Sequence, residues 1–311
     1  MTTFAFVFPG QGSQAAGMLD AWGDSSVVRQ TLAEASESLG EDIARLIHEG
    51  PKEQLDLTTN TQPVMLTAGV ACYRAWMAET GLAPATLAGH SLGEYSALVA
   101  AGSLRFADAL PLVRFRAEAM QQAVPVGVGA MAAVLGMEAE AVRRGCAEVA
   151  AATGEVVEAV NFNDPKQTVI AGTKAGVEKA CEALKAAGAK RALPLPVSAP
   201  FHSSLMKPAA ERLKERLAAT PFAVPQIAVV NNVDVAVESE PEAIRDALYR
   251  QAFGAVRWVE TVRAIRARGA THIFECGPGK VLVGMIKRID SGAVAAAVFD
   301  PATLAEAKAL L

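Results

Sequence analysis

The chain contains 311 residues, of which 51% are hydrophobic and 20% charged, and its formal net charge at pH 7 is −4. This length and apolar content predict a soluble globular protein with a large core, built as one big domain that carries an insertion or a second domain. The negative net charge argues against a general nucleic-acid-binding protein.

The first predicted element is a buried strand at Phe4–Phe8, followed by the turn-rich loop PGQGSQ at residues 9–14 and then by helical sequence. A strand, a glycine-rich loop and a helix in this order indicate an α/β protein. The loop is not the G-x-G-x-x-G motif of dinucleotide-binding proteins, because the residue three positions after Gly12 is Ala15. The nucleotide-binding interpretation is therefore weak.

Residues 86–102, TLAGHSLGEYSALVAAG, place Ser91 in a G-x-S-x-G motif. This motif is typical of a nucleophile elbow, a strained turn from strand to helix that exposes a serine hydroxyl. Gly89 and Gly93 lack a Cβ, so the turn can be tight and the helix can pack close to the strand. Apolar residues at helical spacing follow the serine. Ser91 is therefore a candidate nucleophile. The alternative is that the motif occurs by chance at the start of an alanine-rich helix.

The middle of the chain predicts a small domain of the order β-α-β-β-α-β, which is the ferredoxin-like arrangement. Its predicted strands are residues 130–135, 157–161, 168–171 and 189–195, and its predicted helices are residues 138–152 and 174–187. Stretches rich in glycine or proline flank this region, as in linkers. We therefore predict a small ferredoxin-like domain at residues 126–198, inserted into a large α/β-hydrolase-like domain with a parallel sheet, formed by residues 1–125 and 199–311.

The rest of the large domain contains two further predicted strands and several helices. The strands are predicted at residues 227–230 and 272–275, and the helices near residues 201–219, 242–249, 258–268 and 280–289. A second glycine-rich stretch, CGPGKVL at residues 276–282, fails as a phosphate-binding loop, because Phe274 and Val281 occupy the positions of the first glycine and of the Ser or Thr. Either glycine-rich loop could still bind an anion or a thioester.

The cysteines and the amino terminus indicate the cellular compartment. The four cysteines, Cys72, Cys146, Cys181 and Cys276, form no C-x-x-C pair, so we expect reduced cytoplasmic thiols and no zinc or other metal site. The amino terminus has only a short apolar run with no basic segment before it, which argues against a secretory signal. No apolar run approaches the length of a membrane span, so we expect no membrane association.

A nucleophilic serine needs a base, most often histidine, and the chain has four candidates. His48 lies in a polar helix-end segment and is expected to be solvated. His90 is next to the serine, but neighbours on an elbow point apart, so packing or a hydrogen bond to a nearby loop is expected. His272 begins a predicted strand, where a structural role is usual. His202 remains, at the return from the inserted domain, where a cleft between domains would be lined.

A Ser-His-Asp hydrolase would place its acid between Ser91 and His202 in the chain. Asp108 and Asp164 lie in that interval, but Asp108 is interpreted as a helix cap and Asp164 as a turn residue. A backbone carbonyl could fix the tautomer of the imidazole equally well.

Eight segments in chain order resemble the malonyl-CoA:acyl carrier protein transacylases of fatty acid synthesis. They are FVFPGQGSQ, TQPVMLTAGVA, GHSLGEYSALVAAG, MQQAVPVGVGAMAAVLG, VNFNDPKQTVIAG, KRALPLPVSAPFHSSLM, VVNNVDV and ECGPGKVLVGMIKRI. The resemblance covers nearly the whole chain. It implies transfer of malonyl from malonyl-CoA to the phosphopantetheine thiol of acyl carrier protein through a malonyl-serine, with no cofactor beyond the coenzyme A thioester substrate.

The resemblance also implies roles for individual residues. Ser91 would be the nucleophile and His202 its base. The main-chain carbonyl of Gln251 would orient the histidine, which explains the missing aspartate. The backbone N–H groups of Gln11 and Leu92 would stabilise the oxyanion.

Further residues would bind the substrate. The resemblance places the substrate-binding arginine at Arg116 and leaves Arg114 outside the site. A guanidinium suits the malonyl carboxylate as a planar, bidentate and permanently charged partner, although Arg116 by itself would be interpreted as a solvated helix charge. Phe201 would narrow the acyl pocket, or would be a core residue, and many free-standing relatives have a small residue there. Asn161 and Asn163 would line the cleft, or would form strand-end hydrogen bonds.

The carrier protein is expected to be acidic and to dock on a basic region, unless that region is only a solvated helical face. The candidate residues are Arg263, Arg266, Arg268, Lys287 and Arg288. We expect a monomer. Two alternatives use the same features differently: a serine esterase or thioesterase would share the elbow, and a catalytically idle module would only bind the carrier protein.

Overall fold

The computed structural model describes residues 2–125, 127–197 and 199–311 and contains two β-sheets. The strands are β1 (Phe4–Phe8), β2 (Thr86–Gly89), β3 (Gly129–Leu135), β4 (Val157–Asp164), β5 (Gln167–Thr173), β6 (Arg191–Pro194), β7 (Ala228–Val230), β8 (His272–Cys276) and β9 (Val294–Val298). The helices are α1 (Ser26–Leu39), α2 (Ile43–Glu49), α3 (Lys52–Leu55), α4 (Thr58–Thr80), α5 (Gly93–Ala100), α6 (Phe106–Gln122), α7 (Ala139–Thr153), α8 (Lys174–Ala186), α9 (Lys207–Ala219), α10 (Pro241–Gln251), α11 (Trp258–Ala267), α12 (Val281–Ile289) and α13 (Pro301–Ala309).

The larger sheet has five strands in the order β7-β2-β1-β8-β9, and its strand pairs are parallel. All five residues of β1 are buried, as expected for a central strand of a sheet covered on both faces. The strands predicted at residues 4–8, 227–230 and 272–275 are confirmed within one residue. Strand β9 was not predicted, because three of the five residues in its sequence VAAAV are alanine, which favours strands less than β-branched residues do.

Helices cover both faces of the parallel sheet. On one face, Phe6 packs edge-on against Trp76 of α4, with the ring centroids 5.2 Å apart. On the other face, Val7 belongs to a buried cluster with Ile265 of α11 and Ile286 of α12. The predicted α/β architecture with a parallel sheet core is therefore confirmed, and it places the carboxyl ends of β1 and β2 at one edge of the sheet.

The smaller sheet has four strands in the order β4-β5-β3-β6, with antiparallel pairs. Its elements follow one another as β-α-β-β-α-β, and α7 and α8 pack on one face through Cys146, Ile170 and Ala180, among others. The proposed bounds of this region as a domain, Val126 and Ser198, both lie outside the described residues.

Strand β4 of the smaller sheet is joined to the rest of the chain by backbone hydrogen bonds and an ion pair. Val256 donates its N–H to the carbonyl of Val160 at 2.8 Å and accepts from the N–H of Phe162 at 2.9 Å. Arg288 of α12 donates to the buried carboxylate of Asp164 at 2.6 Å. These contacts fix β4 against α12 and the segment before α11.

The predicted helix near residues 201–219 is wrong at its start. A short 3-10 helix at Ser204–Met206 precedes α9, and residues 201–203 are not helical. His202 has a φ of 64°, in the left-handed region, which is incompatible with a right-handed helix. Within the described part of the chain, no helix is both long and apolar enough to cross a membrane.

Candidate active site

Ser91 lies in a sharp turn between the end of β2 and the start of α5, and its φ of 51° places it in the left-handed region. Two glycines make this turn possible. A Cβ on Gly89 would lie 1.9 Å from the carbonyl carbon of Gly93, and a Cβ on Gly93 would lie 2.1 Å from the carbonyl oxygen of Phe8. Any side chain at either position would collide with backbone, so the sequence G-x-S-x-G is required for this geometry.

The strained peptide groups of Ser91 are stabilised by two side-chain amides. The Ser91 N–H donates to Oδ1 of Asn232 at 2.7 Å, and the Ser91 carbonyl accepts from Nε2 of Gln251 at 3.1 Å. A non-glycine residue at positive φ costs on the order of 1–3 kcal/mol, which surrounding contacts must offset. These two hydrogen bonds are such contacts.

His202 lies beside the serine hydroxyl. Its Nε2 is 2.8 Å from Ser91 Oγ, and its Nδ1 is 2.9 Å from the main-chain oxygen of Gln251. Because a carbonyl only accepts, Nδ1 carries the proton and Nε2 is free to accept from the hydroxyl. Burial, with the positive charge of Arg116 as the next cause, lowers the pKa of His202 to about 3. The imidazole is therefore neutral near pH 7.

Arg116 of α6 is buried beside the same hydroxyl. Its Nη1 donates to Oε1 of Gln62 at 2.8 Å, and its Nη2 donates to Oε1 of Gln251 at 2.9 Å and to Ser91 Oγ at 3.2 Å. All three acceptors are neutral. Burial lowers the pKa of Arg116, as expected for a cation removed from water. A buried guanidinium with neutral partners is suited to an anionic ligand.

These groups line one cavity between the elbow and the smaller sheet. Its lining residues are Gln11, Gln62, His90, Ser91, Leu92, Arg116, Met120, Met131, Asn161, Val169, Leu195, Val197, Phe201 and His202. Of the residues predicted to form the site, Gln251 and Asn163 are the two that do not line the cavity. Gln251 is fully buried behind the cavity and contacts it through His202, Arg116 and Ser91.

Asn161 and Asn163 have different environments. Asn161 lines the cavity, and its Oδ1 is buried with no hydrogen-bond partner among the described residues. Oδ1 of Asn163 accepts from Nε2 of His90 at 2.8 Å, so the hydrogen bond expected for that histidine is present, although its partner lies in strand β4 and not in a loop. Phe201 lines the cavity and also packs against core residues of the smaller sheet. It is therefore compatible both with a role in the acyl pocket and with a role in the core.

The remaining candidates lie elsewhere. His48 is exposed and pairs with an aspartate, and His272 bonds to the preceding threonine. Asp164 forms a turn hydrogen bond and the ion pair described above. The interpretation of Asp108 as a helix cap is wrong: α6 begins at Phe106, and Asp108 lies in its first turn. A negative charge there is favourable to the helix dipole, which accounts for its position.

Arg114 is also outside the cavity. It donates to Asn60 at 3.1 Å and to Glu41 at 2.5 Å. Two residues along α6 turn the side chain by more than half a circle, so Arg114 and Arg116 face opposite directions.

Three polar residues at the site were missed by the sequence analysis: Gln62, which accepts from Arg116, and Glu94 and Asn232. Glu94 is buried in the first turn of α5, and its Oε2 accepts from the backbone N–H of Asn232 at 2.9 Å and from Nε2 of Gln251 at 3.0 Å. Burial raises the pKa of Glu94 to about 7. Asn232 also donates through Nδ2 to the carbonyl of Gly89 at 2.7 Å. A glutamate within the apolar start of the helix after the elbow was the available signal.

The arrangement can activate a serine, stabilise a neutral base and bind an anion in one cavity. Such a set supports attack on an activated acyl group whose far end is a carboxylate. Across residues 2–125, 127–197 and 199–311, no group of three or more His, Cys, Asp and Glu side chains is placed to bind a metal ion.

Comparison with known proteins identifies the same family in sequence and in structure. The acyl transferase domain family matches residues 5–298. The malonyl CoA-acyl carrier protein transacylase of Escherichia coli (strain K12) is 54% identical over 308 residues, which are 99% of each chain. A crystal structure of an acyl-carrier-protein S-malonyltransferase from Burkholderia pseudomallei 1710b is 66% identical, with a TM-score of 0.97 over 98% of this chain and 99% of that chain.

A further solved structure contains a partner. It shows a malonyl-transacylase in complex with its type II PKS acyl-carrier protein, and that chain is 52% identical, with a TM-score of 0.97 and 100% coverage of both chains.

Proposed function

The chain belongs to the acyl transferase family, among the malonyl-CoA:acyl carrier protein transacylases, and we propose that it transfers malonyl from malonyl-CoA to the phosphopantetheine thiol of acyl carrier protein. The observation that carries this proposal is the position of Ser91 Oγ, 2.8 Å from His202 Nε2 and 3.2 Å from Arg116 Nη2. A nucleophile thus lies between a base and a group that binds a carboxylate.

In the first half-reaction, His202 accepts the hydroxyl proton of Ser91 while Oγ attacks the thioester carbon of malonyl-CoA. The oxygen-carbon bond forms, the carbon-sulfur bond breaks, and the coenzyme A thiolate takes the proton from His202. The carbonyl of Gln251 stabilises the imidazolium that forms between these two proton transfers. No metal or further cofactor takes part in this sequence.

The tetrahedral intermediate carries a negative oxygen that needs hydrogen-bond donors. The backbone N–H groups of Gln11 and Leu92 are assigned to this oxygen, and both residues line the cavity beside Ser91. Removing one such donor from an enzyme commonly lowers kcat by about 10²–10³.

Arg116 binds the malonyl carboxylate. Its guanidinium lines the cavity, and its Nη2 lies 3.2 Å from Ser91 Oγ, so an acyl group attached at that serine brings its carboxylate near the guanidinium. A malonyl group fixed at its carboxylate has its thioester end directed toward Ser91, and such positioning accelerates the reaction by proximity. An acetyl group has no carboxylate and does not gain this binding.

In the second half-reaction, the phosphopantetheine thiol loses its proton to His202 and attacks the malonyl-serine ester. The new carbon-sulfur bond forms, the carbon-oxygen bond to Ser91 breaks, and His202 returns the proton to Oγ. One thioester replaces another, so the overall equilibrium is nearly balanced. The product is a malonyl carrier protein of the kind that fatty acid synthesis consumes.

The carrier protein docks on a basic region of α11 and α12. Of the five candidates, Arg266 pairs with Asp290 and Arg288 pairs with Asp164, so their charges are partly used. The exposed candidates that remain are Arg263, Arg268 and Lys287. The complex of a similar malonyl-transacylase with its carrier protein supports docking of such a partner.

A single chain provides the whole proposed site, which supports a monomer as the active unit. Residues 126–198 act as an inserted domain whose sheet forms one wall of the cavity. All four cysteines are buried and free, which is compatible with action in the reducing cytoplasm.

Intact mass spectrometry tests the proposal. After exposure to malonyl-CoA, the protein should gain one malonyl group, which should be lost to the carrier protein when its free thiol is added. Ser91→Ala should gain no mass, whereas the exposed control Ser291→Ala should behave as the wild type. Steady release of coenzyme A without a thiol acceptor would instead favour a thioesterase, and carrier binding without any acyl-enzyme would favour an idle binding module.

A further inference from the structure

One buried carboxyl group bonds to both residues whose side-chain amides stabilise the elbow. Oε2 of Glu94 accepts from the backbone N–H of Asn232 at 2.9 Å and from Nε2 of Gln251 at 3.0 Å. Glu94, Asn232 and Gln251 are all buried. None of these bonds is exposed to competing water, so each contributes fully to the local geometry.

The two amides contact different parts of the proposed machinery. Asn232 bonds to the Ser91 N–H and to the Gly89 carbonyl, so it fixes the strained turn itself. Gln251 bonds to the Ser91 carbonyl and to Arg116 through its side chain, and to His202 through its main chain. Through Asn232 and Gln251, Glu94 is therefore connected to the nucleophile, the base and the carboxylate-binding arginine.

Glu94 also determines which way the amide of Gln251 faces. An acceptor at Glu94 and another at the Ser91 carbonyl require the NH₂ group of Gln251 on that side. Its oxygen must then face Arg116, where it accepts from Nη2. The reversed amide would direct N–H groups at a guanidinium, which is donor-only, and would leave Arg116 unfixed.

Charge gives a second reason for a carboxyl group at this position. The hydrogen-bond acceptors of Arg116 are neutral, whereas Glu94 lies close enough for the two charges to attract each other. A buried cation without a counter-charge is costly. When Glu94 is ionised, its carboxylate behind Gln251 offsets part of this cost without bonding to the guanidinium directly.

We propose that Glu94 is a positioning residue that sets the orientation of the Gln251 amide and so holds Arg116 in the geometry that selects a malonyl over an acetyl group. This inference rests on the proposed function, because it concerns how the same site reads its substrate.

The test compares Glu94→Gln with Glu275→Gln in the full chain. Glu275 is a matched control: it is also fully buried, burial also raises its pKa to about 7, and it bonds to the backbone N–H of Val283 outside the cavity. For Glu94→Gln, we expect kcat/KM with malonyl-CoA to fall about tenfold or more and the malonyl-to-acetyl preference to fall with it, since misplacing a positioned group is costly. Glu275→Gln should retain both within about twofold.

Equal losses with malonyl-CoA and acetyl-CoA in Glu94→Gln would mean a purely structural role and would overturn the proposal. Because glutamine keeps one acceptor oxygen, Glu94→Met is measured as well, and unchanged kinetics in both variants would also overturn the proposal. A further variant covers the case in which Glu94→Gln does not fold. Gln251→Met keeps the main-chain carbonyl for His202 but removes the link to Arg116, and it should show the same loss of malonyl preference; an unchanged preference would contradict the inference.

Non-additivity gives an independent readout. If Glu94 acts through Gln251, the double variant should lose no more malonyl preference than Gln251→Met alone. Additive losses would overturn the proposal. The wild-type protein is measured in parallel, so that failure of the proposed function can be distinguished from failure of the role of Glu94. If the wild type forms no malonyl-enzyme, the proposed function is wrong. If the wild type is active and the variants are unaffected, only the role of Glu94 is refuted.

Discussion

Arg116 Nη2 lies 3.2 Å from Ser91 Oγ, so a buried cation and the proposed nucleophile share one end of the cavity. The same guanidinium is the second cause of the low pKa of His202, after burial. A substrate carboxylate that neutralises Arg116 would therefore reduce an unfavourable charge near the base as well as orient the acyl group. Substrate binding and base strength are coupled at this site through one side chain.

Arg116→Ala should lower kcat/KM for malonyl-CoA much more than for acetyl-CoA, because only malonyl has a carboxylate to bind. A charge-assisted contact of this kind contributes on the order of 1.5–3 kcal/mol, which corresponds to roughly 10- to 100-fold in the ratio of the two rates. Steady-state kinetics with both thioesters measure the ratio.

Arg114→Ala is the matched control for this experiment. Arg114 lies two residues earlier on the same helix and binds Glu41 and Asn60 outside the cavity. Its replacement should leave the ratio unchanged. If Arg116→Ala reduces malonyl and acetyl transfer by the same factor, the arginine supports the structure and does not bind the carboxylate.

Gly93→Ala should destabilise the protein and abolish acylation of Ser91. The added Cβ would lie 2.1 Å from the Phe8 carbonyl oxygen, so β1 and the elbow would have to separate. Overpacking of this kind costs about 1–3 kcal/mol, which urea unfolding can measure. Gly284→Ala in α12 is the control, because its new Cβ would approach only the flexible end of Arg288, at 3.4 Å.

Because alanine has a higher helix propensity than glycine, Gly284→Ala should leave the free energy of unfolding unchanged or raise it slightly. A Gly93→Ala variant with wild-type stability and normal acylation would show that the elbow can relax, and that its glycines are not required for a reactive serine.

The stability of the protein should fall in acid partly because of His202. Its pKa is 6.5 in a model peptide and about 3 in the folded chain, so between these values the unfolded chain binds a proton that the folded chain does not. The stabilisation from this group is fully present above pH 6.5 and is lost as the pH falls toward 3. The expected slope is about 1.4 kcal/mol per pH unit within that window.

His202→Asn removes this titration and tests the sign. Asparagine tolerates the left-handed φ of 64° at this position better than most residues. The free energy of unfolding of the variant, measured in urea between pH 4 and pH 6.5, should have a pH slope smaller by about one proton than that of the wild type. Equal slopes would mean that His202 is protonated in the folded chain.

Local patterns in the sequence predicted most of the fold. The alternation of apolar and turn residues identified β1, the elbow and the β-α-β-β-α-β order, because each of them has a recognisable pattern within a short stretch of sequence. Strand β9 and the backbone around His202 were not predicted. The first is an alanine-rich strand formed by pairing with β8, and the second is fixed by contacts with Gln251, 49 residues away.

Some residues of the site could likewise be predicted from local sequence patterns, whereas others could not. Ser91 was identified from its own motif and His202 by elimination, but the family resemblance was needed for Arg116 and Gln251. Periodicity cannot distinguish a buried arginine from a solvated one such as Arg114, because that difference depends on partners far along the chain. Glu94 was missed for the same reason: its two bonds are to residues 138 and 157 positions away.

Phe201→Ala should widen the acyl pocket and raise activity with methylmalonyl-CoA relative to malonyl-CoA. Phe201 lines the cavity one residue before His202 and packs against the cluster that contains Met131, so its removal opens space beside the α-carbon of a bound acyl group. One methyl group in a pocket is worth about 1–3 kcal/mol, so the ratio of kcat/KM values should change at least about tenfold.

Phe222→Ala, at a half-buried phenylalanine outside the cavity, controls for loss of packing alone. If both variants lose stability equally and neither accepts methylmalonyl-CoA, Phe201 is a core residue and pocket width is set elsewhere.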